Sequence, residues 1–118
     1  MKLEQCTGVY GIYINEEIVY IGSTTDSFAR RFSKHKSRMK EPPEKHPTQI
    51  ELYNTLKAAK ASGYSVVFRP LIVVEELKYR SLVPIEKRDV ESMEFALIDL
   101  YKPRLNKCGV TLPFKYNY

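Results

Sequence analysis

Two tyrosines, an arginine, a histidine and a glutamate are the side chains of this sequence best suited to chemistry. Tyr10 and Tyr20 lie in short apolar segments, Arg31 and His35 follow in a basic segment, and Glu94 lies near the C-terminus. A guanidinium grips phosphate oxygens through its planar fork. Phenol, imidazole and carboxylate groups orient water, move protons or hold a cation. Together these groups suit reaction at a phosphodiester.

The charge of the chain favours a polyanionic partner. Its 118 residues include 19 basic and 14 acidic side chains, which gives a net charge of +5, and positive charge of this kind attracts nucleic acids. Between residues 28 and 40 there is no acid. This run is either a solvated helix face or a phosphate-binding stripe. In the second case the DNA-binding residues would be Arg30, Lys34, Lys36, Arg38 and Lys40.

Two strands and a turn must position the tyrosines. Residues 8–14 and 18–23 are β-prone and apolar without polar alternation, which predicts two strands covered on both faces. The polar break Asn15–Glu17 between them predicts a hairpin. A three-residue turn there would place on one face of the hairpin Tyr10, Ile12, Ile18 and Tyr20.

A basic helix should follow the hairpin. Asp26 or Ser27 is a suitable N-cap for a helix that runs to about residue 40. On this helix Arg31 and His35 lie four residues apart and share a face. The prolines at 42 and 43 end it.

The rest of the chain predicts two more helices and one more strand. A helix with an apolar side over residues 50–59 ends near Gly63, and residues 65–74 form a strand in which Pro70 marks an edge or a bulge. Residues 75–87 are an uncertain connection. Asp89 can cap a last helix that stops before Pro103. The pattern predicts one α+β domain over residues 1–118, with a small antiparallel sheet packed by helices.

An ordered set of short motifs resembles the GIY-YIG nuclease family. The motifs are Gly8-Val9-Tyr10, Tyr20-Ile21-Gly22-Ser23, Arg31-Phe32 with His35, Met93-Glu94-Phe95-Ala96-Leu97-Ile98, and Lys102-Pro103-Arg104-Leu105-Asn106. The resemblance covers a core of about residues 8–106 and leaves a C-terminal tail of residues 107–118. A literal Gly-Ile-Tyr also occurs at residues 11–13, but the family's tyrosine spacing fits Tyr10 with Tyr20.

The resemblance implies a three-stranded antiparallel sheet with flanking helices and a metal-dependent cleavage of DNA. Glu94 would hold one divalent cation, Mg²⁺ or in its place Mn²⁺, and Glu91 is the competing ligand. Arg31 would bind the scissile phosphate. Tyr10 would orient or deprotonate the attacking water, with a pKa lowered by Arg31 and the metal, and Tyr20 would position the water or the phosphate.

His35 completes the catalytic set that the resemblance implies, and three further residues receive supporting roles. His35 would relay a proton from Tyr10 or contact phosphate, and its alternative is a solvated histidine on a basic helix. His46 is a weaker candidate for a functional histidine. Asn106 would tie the end of the last helix to the site through hydrogen bonds. Gly22 would allow the backbone to approach closely beside the site.

The leading interpretation is a DNA endonuclease that uses one metal ion. The alternatives are a non-catalytic nucleic-acid-binding module that uses the basic helix and a protein-interaction domain. Cleavage of both strands would require a homodimer, a partner protein or sequential nicking. The absence of a signal-like N-terminus and of a membrane-spanning run predicts a soluble protein of the cytoplasm in a bacterial or phage-infected cell. Its size resembles that of phage or mobile-element nucleases.

Overall fold

The computed structural model describes residues 2–42 and 45–106. The strands are β1 (Gly8–Ile14), β2 (Glu17–Thr24) and β3 (Val66–Val73). The helices are α1 (Phe28–Met39), α2 (Ile50–Ala61), α3 (Val74–Arg80) and α4 (Lys87–Tyr101), with 3-10 turns at Leu3–Gln5 and Pro47–Gln49. Within the described residues, no helix has the length and apolar character needed to cross a membrane. The predicted tail, 107–118, lies outside the described residues.

The sheet is antiparallel with the order β2-β1-β3, so the predicted α+β fold with a three-stranded sheet is confirmed. β1 is the central strand, and this position explains why its residues are buried on both faces. Pro70 lies on the edge strand β3, opposite Tyr10, where the register shifts by a bulge. An edge strand with a bulge tolerates proline because no ladder hydrogen bond is lost there.

The hairpin turn is shorter than the sequence predicts. Asn15 and Glu16 alone form it, with φ of 47° and 72°, which is the backbone of a two-residue type I′ turn. The register between β1 and β2 shifts between Ile12 and Tyr13. Tyr10, Ile12 and Tyr20 still share a face, but Ile18 packs on the opposite face. The prediction for Ile18 is therefore wrong, because the two-residue turn places Ile18 opposite Tyr13, and the bulge that follows at Val19 returns only Tyr20 to the face of Ile12.

Two helix starts show which cap the chain uses. Ser27 caps α1, and its hydroxyl accepts a hydrogen bond of 3.2 Å from the Arg30 amide. α4 begins two residues before the predicted cap. Glu86 is its N-cap, and Asp89 completes a capping box by accepting a hydrogen bond of 2.8 Å from the Glu86 amide. α3 occupies part of the connection that the sequence leaves uncertain.

Helices cover both faces of the sheet and make two different cores. On one face α1 and α2 enclose a layer rich in aromatic rings. On the other face α3 and α4 enclose an aliphatic layer formed by Val9, Ile21, Val74, Val90 and Ile98. We call these the aromatic layer and the aliphatic layer. The prediction that both strands of the hairpin are covered on both faces is confirmed.

Candidate active site

The aromatic layer contains a buried phenol–imidazole pair. Tyr10 projects from the central strand and His35 from α1, and the Tyr10 hydroxyl lies 2.7 Å from His35 Nε2. Both side chains are almost wholly buried, with 2% and 1% of their surface exposed. The solvated histidine that the sequence allowed is therefore excluded. Each polar atom in this layer needs a partner, because an unpaired buried group costs about 1–3 kcal/mol.

The second ring nitrogen of His35 extends the pair into α2. Its Nδ1 lies 2.8 Å from the hydroxyl of buried Tyr53, and that hydroxyl donates to Gln49 Oε1 over 3.5 Å. Because the Tyr53 hydroxyl donates its hydrogen to Gln49, its oxygen is left to accept a hydrogen bond from His35 Nδ1–H. We therefore assign the Nδ1–H tautomer to His35. In this tautomer Nε2 accepts a hydrogen bond from the Tyr10 hydroxyl.

Gln49 closes this network onto the second tyrosine. Its Nε2 donates to the Tyr20 hydroxyl over 3.4 Å, and its Oε1 accepts from Arg38 over 3.4 Å. The two phenols of the sheet are thus connected through three side chains. These three are His35, Tyr53 and Gln49.

Gly22 makes room for the Tyr10 hydroxyl. It faces Tyr10 across the β1–β2 ladder. A Cβ at this position would lie 2.5 Å from the Tyr10 hydroxyl and 2.6 Å from its Cζ. The glycine is needed because the rigid ring of Tyr10 lies against the backbone of Gly22. The sequence predicted a close approach at Gly22, and the structure identifies Tyr10 as the group that makes it.

Burial dominates the titration of the three aromatic groups. It raises the pKa of Tyr10 well above its ordinary value, and the opposing effect of the Arg31 charge is smaller. Burial, and then the Glu94 charge, raise the pKa of Tyr20 to about 12. Burial and the charges of Arg31 and Arg38 lower the pKa of His35 to about 4. The expectation that Arg31 lowers the pKa of Tyr10 below its usual range is wrong for the protein alone, because desolvation of the phenolate outweighs the nearby positive charge.

Glu94 lies at the mouth of the site, on α4. One of its carboxylate oxygens accepts a hydrogen bond of 2.6 Å from the Ser23 hydroxyl. Burial raises its pKa, with a further contribution from Glu91 that the Ser23 bond opposes. Glu91 itself is exposed. Of the two carboxylates that compete as ligand, Glu94 is the one oriented by the sheet.

Glu94 and Tyr20 border the same cleft. Its volume is about 240 Å³. Gln49, Glu51 and Asn106 also line it, so the cleft joins the end of the aromatic network to the carboxylate. Tyr10 is not among the side chains that line the cleft. A substrate in the cleft would therefore contact Tyr20 but would not contact Tyr10 directly.

Arg31 and Arg30 are adjacent in sequence but differ in their surroundings. Arg30 is exposed and forms an ion pair of 3.3 Å with Asp26. Arg31 is half-buried, and its charge acts on Tyr10, Tyr20 and His35. No carboxylate within residues 2–42 and 45–106 pairs with Arg31. Of the two guanidiniums, Arg31 is the one whose charge acts on the phenols, although it is not among the side chains that line the cleft of Tyr20 and Glu94.

Asn106 holds the segment after α4 against β2. Its side chain accepts a hydrogen bond of 2.6 Å from the Ile21 amide and donates one of 2.7 Å to the Ile21 carbonyl. The amide thus pairs with the outer edge of β2 as a neighbouring strand would. This arrangement fixes the position of the strand beside Gly22 and of the chain that leaves α4.

His46 is displaced from the center of the site. It lies 3.3 Å from a Glu41 oxygen, and its ring contacts the ring of Tyr53 edge-on at 5.5 Å. It can therefore influence the network through Tyr53. It does not border the cleft.

The five predicted DNA-binding residues do not form one surface. Arg30 and Lys34 border a shallow depression together with Arg31. Arg38 binds Gln49. Lys36 and Lys40 border a different depression. The basic stripe of the sequence is therefore divided between two sides of α1.

The side chains at the cleft fit a cation that keeps most of its water. No group of three or more histidine, cysteine, aspartate or glutamate side chains capable of holding a metal occurs in the described part of the chain. Glu94 nevertheless offers a fixed carboxylate oxygen beside the Ser23 hydroxyl. Mg²⁺ is commonly bound by one or two carboxylates with waters and substrate phosphate oxygens. The donor set suits that ion and does not suit zinc, which requires three or four protein ligands.

Sequence reasoning missed Tyr53 and Gln49. Tyr53 was expected only on the apolar side of α2, and Gln49 precedes that helix without a recognisable motif. A tyrosine on an apolar helix face is one usable indication, because a buried hydroxyl requires a partner. Nothing in the sequence identifies Gln49 as that partner.

Comparison with known proteins adds no relative. No protein-family model matches this chain, and neither a curated protein nor a solved structure matches it. The resemblance to GIY-YIG nucleases therefore depends on the motif residues and their order alone.

Proposed function

We propose that this chain is a metal-dependent DNA endonuclease that hydrolyses phosphodiester bonds with one divalent cation, Mg²⁺ or Mn²⁺. The observation that supports this most is the position of Glu94. Its carboxylate is oriented by Ser23 at a cleft that it shares with Tyr20, and its charge acts on both Tyr10 and Tyr20.

Arg31 would bind the phosphate that is attacked. It is half-buried next to the phenols, where its positive charge is screened less than that of an exposed arginine. A planar guanidinium can donate two hydrogen bonds to a phosphate group and offset the charge that grows in the transition state.

Tyr20 would position the attacking water as a neutral phenol. Because its pKa is raised to about 12, it keeps its proton at neutral pH and donates a hydrogen bond. Gln49 fixes the hydroxyl from behind. This role requires orientation and no loss of the proton.

Tyr10 and His35 would act from behind the cleft. The Nε2 atom of His35 accepts the Tyr10 proton in the assigned tautomer. A pKa of about 4 keeps the imidazole neutral at pH 7, so that it remains an acceptor. Both are positioning residues in this proposal.

Glu94 would hold the cation. When bound there, the ion would polarise a phosphate oxygen and supply positive charge beside the phenols. DNA is the proposed partner, and a homodimer or partner protein is proposed for cleavage of both strands.

Cleavage of supercoiled plasmid tests this function. Wild-type protein should nick the plasmid with Mg²⁺ and should not do so in EDTA. Glu94→Gln keeps an acceptor for Ser23 but removes the charge, and we expect the rate to fall at least about 10³-fold. Glu91→Gln is the matched control on the same helix and should stay within a few-fold of wild type. The ratio of nicked to linear product reports whether a dimer cuts both strands.

Four results would contradict the proposal. Cleavage that survives EDTA, or that Glu94→Gln supports at the wild-type rate, removes the metal role of Glu94. Salt-sensitive DNA binding without cleavage under any divalent ion favours the binding-module alternative. Absence of DNA binding at moderate salt leaves the protein-interaction domain.

A further inference from the structure

Four lysines from two helices converge around one depression away from the cleft. Lys36 and Lys40 come from α1, and Lys57 and Lys60 come from α2. Met39 is the remaining lining residue, and the volume is about 370 Å³. Among the residues that the structure describes, no acidic side chain lines it. We call it the lysine surface.

The fold brings these lysines together. Lysines three or four residues apart on a helix share a face, and the packing of α1 against α2 through His35 and Tyr53 places the two pairs side by side. The Lys57 ammonium donates to the Glu41 carbonyl over 3.4 Å. The Lys36 ammonium lies 5.7 Å from the center of the Phe68 ring.

The positive charge of the lysine surface is not neutralised within the described residues. None of its four lysines forms an ion pair there, whereas Lys45 and Lys102 each pair with a carboxylate, at 3.8 Å and 3.7 Å. Four ammonium groups around one depression repel one another. Part of their placement is explained by the ends of α1 and α2, where positive charge is favoured, and a bound polyanion would remove the repulsion.

The lysine surface faces away from both the cleft and Arg31. No residue of α1 is among the side chains that line the cleft, and Lys36 follows Arg31 by five positions, which is a rotation of about 140° around a helix with 3.6 residues per turn. The residues that line the depression and those that line the cleft do not overlap. A ligand that reached both would have to be extended, as a nucleic-acid duplex is.

We propose that the lysine surface binds backbone phosphates of duplex DNA, outside the segment held in the cleft. Lysine ammoniums act as point charges toward phosphate and carry no base specificity. The surface would therefore contribute affinity and register without choosing the sequence. This inference rests on the DNA partner of the proposed function and does not depend on hydrolysis.

The salt dependence of binding tests the lysine surface. Fluorescence anisotropy would follow a labelled duplex of about two helical turns in EDTA, which prevents metal-dependent cutting, as KCl rises. The test variant replaces Lys36, Lys40, Lys57 and Lys60 by Gln. The matched control removes the same charge from exposed positions elsewhere, by replacing Lys2, Lys78, Arg80 and Lys87 by Gln. Thermal unfolding would verify that both variants fold.

We expect the test variant to lose about three phosphate contacts. Each contact contributes about 0.9 to the slope of log affinity against log salt, so over a fourfold rise in salt the wild-type affinity should fall about 40-fold more than that of the variant. The control should keep the wild-type slope. Equal slopes in the two variants, or a wild-type protein that does not bind duplex, would overturn the proposal. A slope lost only in the test variant, without any cleavage by wild type, would support the lysine surface and refute the nuclease.

Discussion

The two layers on the faces of the sheet are both buried, but they differ in the side chains that fill them. The aliphatic layer is closed by Val9, Ile21 and Ile98 and contains no polar side chain among its buried members. The aromatic layer is as well buried, yet it encloses the hydroxyls of Tyr10 and Tyr53 and the ring of His35. No buried side-chain polar atom in the described residues lacks a partner. The polar groups of the aromatic layer are satisfied by one another and by Gln49 at the cleft.

Because of this difference, neighbouring residues of β1 should differ in what their substitution changes: packing alone in the aliphatic layer, and packing together with hydrogen bonds in the aromatic layer. Consecutive residues of β1 point to opposite faces, so Val9 enters the aliphatic layer and Tyr10 the aromatic layer. A methyl lost from the aliphatic layer removes packing alone. An atom lost from the aromatic layer also leaves a partner unsatisfied.

The largest effect should come from removing the imidazole. His35→Ala creates a cavity, leaves the Tyr10 hydroxyl without its partner and leaves the Tyr53 hydroxyl with Gln49 alone. This should lower the free energy of unfolding by about 3–5 kcal/mol. Val9→Ala removes two methyl groups from the other layer and should cost about 2 kcal/mol. Urea unfolding of both variants measures this.

Cleavage should separate the two variants further. The loss of His35 should lower the rate about 10²-fold because Tyr10 loses the partner that fixes its position, whereas Val9→Ala should cut plasmid at the wild-type rate at temperatures where it is folded. His35→Gln keeps a hydrogen-bond donor and an acceptor. It replaces His35→Ala in the cleavage assay if His35→Ala does not fold. Equal losses of activity in the two layers would contradict the separation.

The sequence was sufficient for the parts of this arrangement that depend on local pattern. The limits of β1, and those of α1 to within one residue, followed from apolar runs and capping residues. The turn did not, because only Asn15 of its two residues is a usual occupant of positive φ and Glu16 is not. The shorter turn put Ile18 on the opposite face, and the bulge after it kept Tyr20 on the predicted one.

The candidate site likewise has a part that the sequence indicates, its motif residues, and a part that depends on tertiary packing. Tyr20 and Glu94 border one cleft, a proximity that their positions in the sequence alone do not indicate. The network through Tyr53 and Gln49 was not predictable, since it depends on how α1 packs against α2. The burial of Tyr10 was underestimated for a related reason. Its charge environment was visible in the sequence, but its desolvation required the three-dimensional structure.

A smaller effect should appear when pH changes the charge of His35. In the folded protein its pKa is lowered to about 4, whereas an unfolded histidine titrates near 6.5. Between these values the unfolded chain binds a proton that the folded chain does not. The free energy of unfolding should therefore fall as pH drops from about 6.5 to about 4, by up to about 3 kcal/mol from this group.

Glu94 changes the free energy of unfolding with pH in the opposite direction to His35. The measurement is therefore made in a variant without its carboxylate. Its pKa is raised by folding, so its contribution to stability is lost as pH rises. Urea unfolding of Glu94→Gln between pH 4 and 8 should show the His35 dependence, and addition of His35→Gln should flatten that part of the curve. Identical pH dependence in the single and double variants would mean that His35 is charged within the aromatic layer.

The smallest effect should come from placing the same methyl group in each layer. The Cβ of Gly22→Ala meets the Tyr10 hydroxyl at 2.5 Å in the aromatic layer, and the Cβ of Gly11→Ala meets Ile18 Cδ1 at 2.9 Å on the aliphatic side. Tyr10 is fixed by His35 and cannot move without breaking that bond, so Gly22→Ala should cost about 1–3 kcal/mol. The end of the Ile18 side chain can rotate away, so Gly11→Ala should cost less than about 1 kcal/mol. Equal costs in thermal unfolding would show that the aromatic layer adapts as readily as the aliphatic one, and the rigidity that the proposed positioning of Tyr10 requires would then be absent.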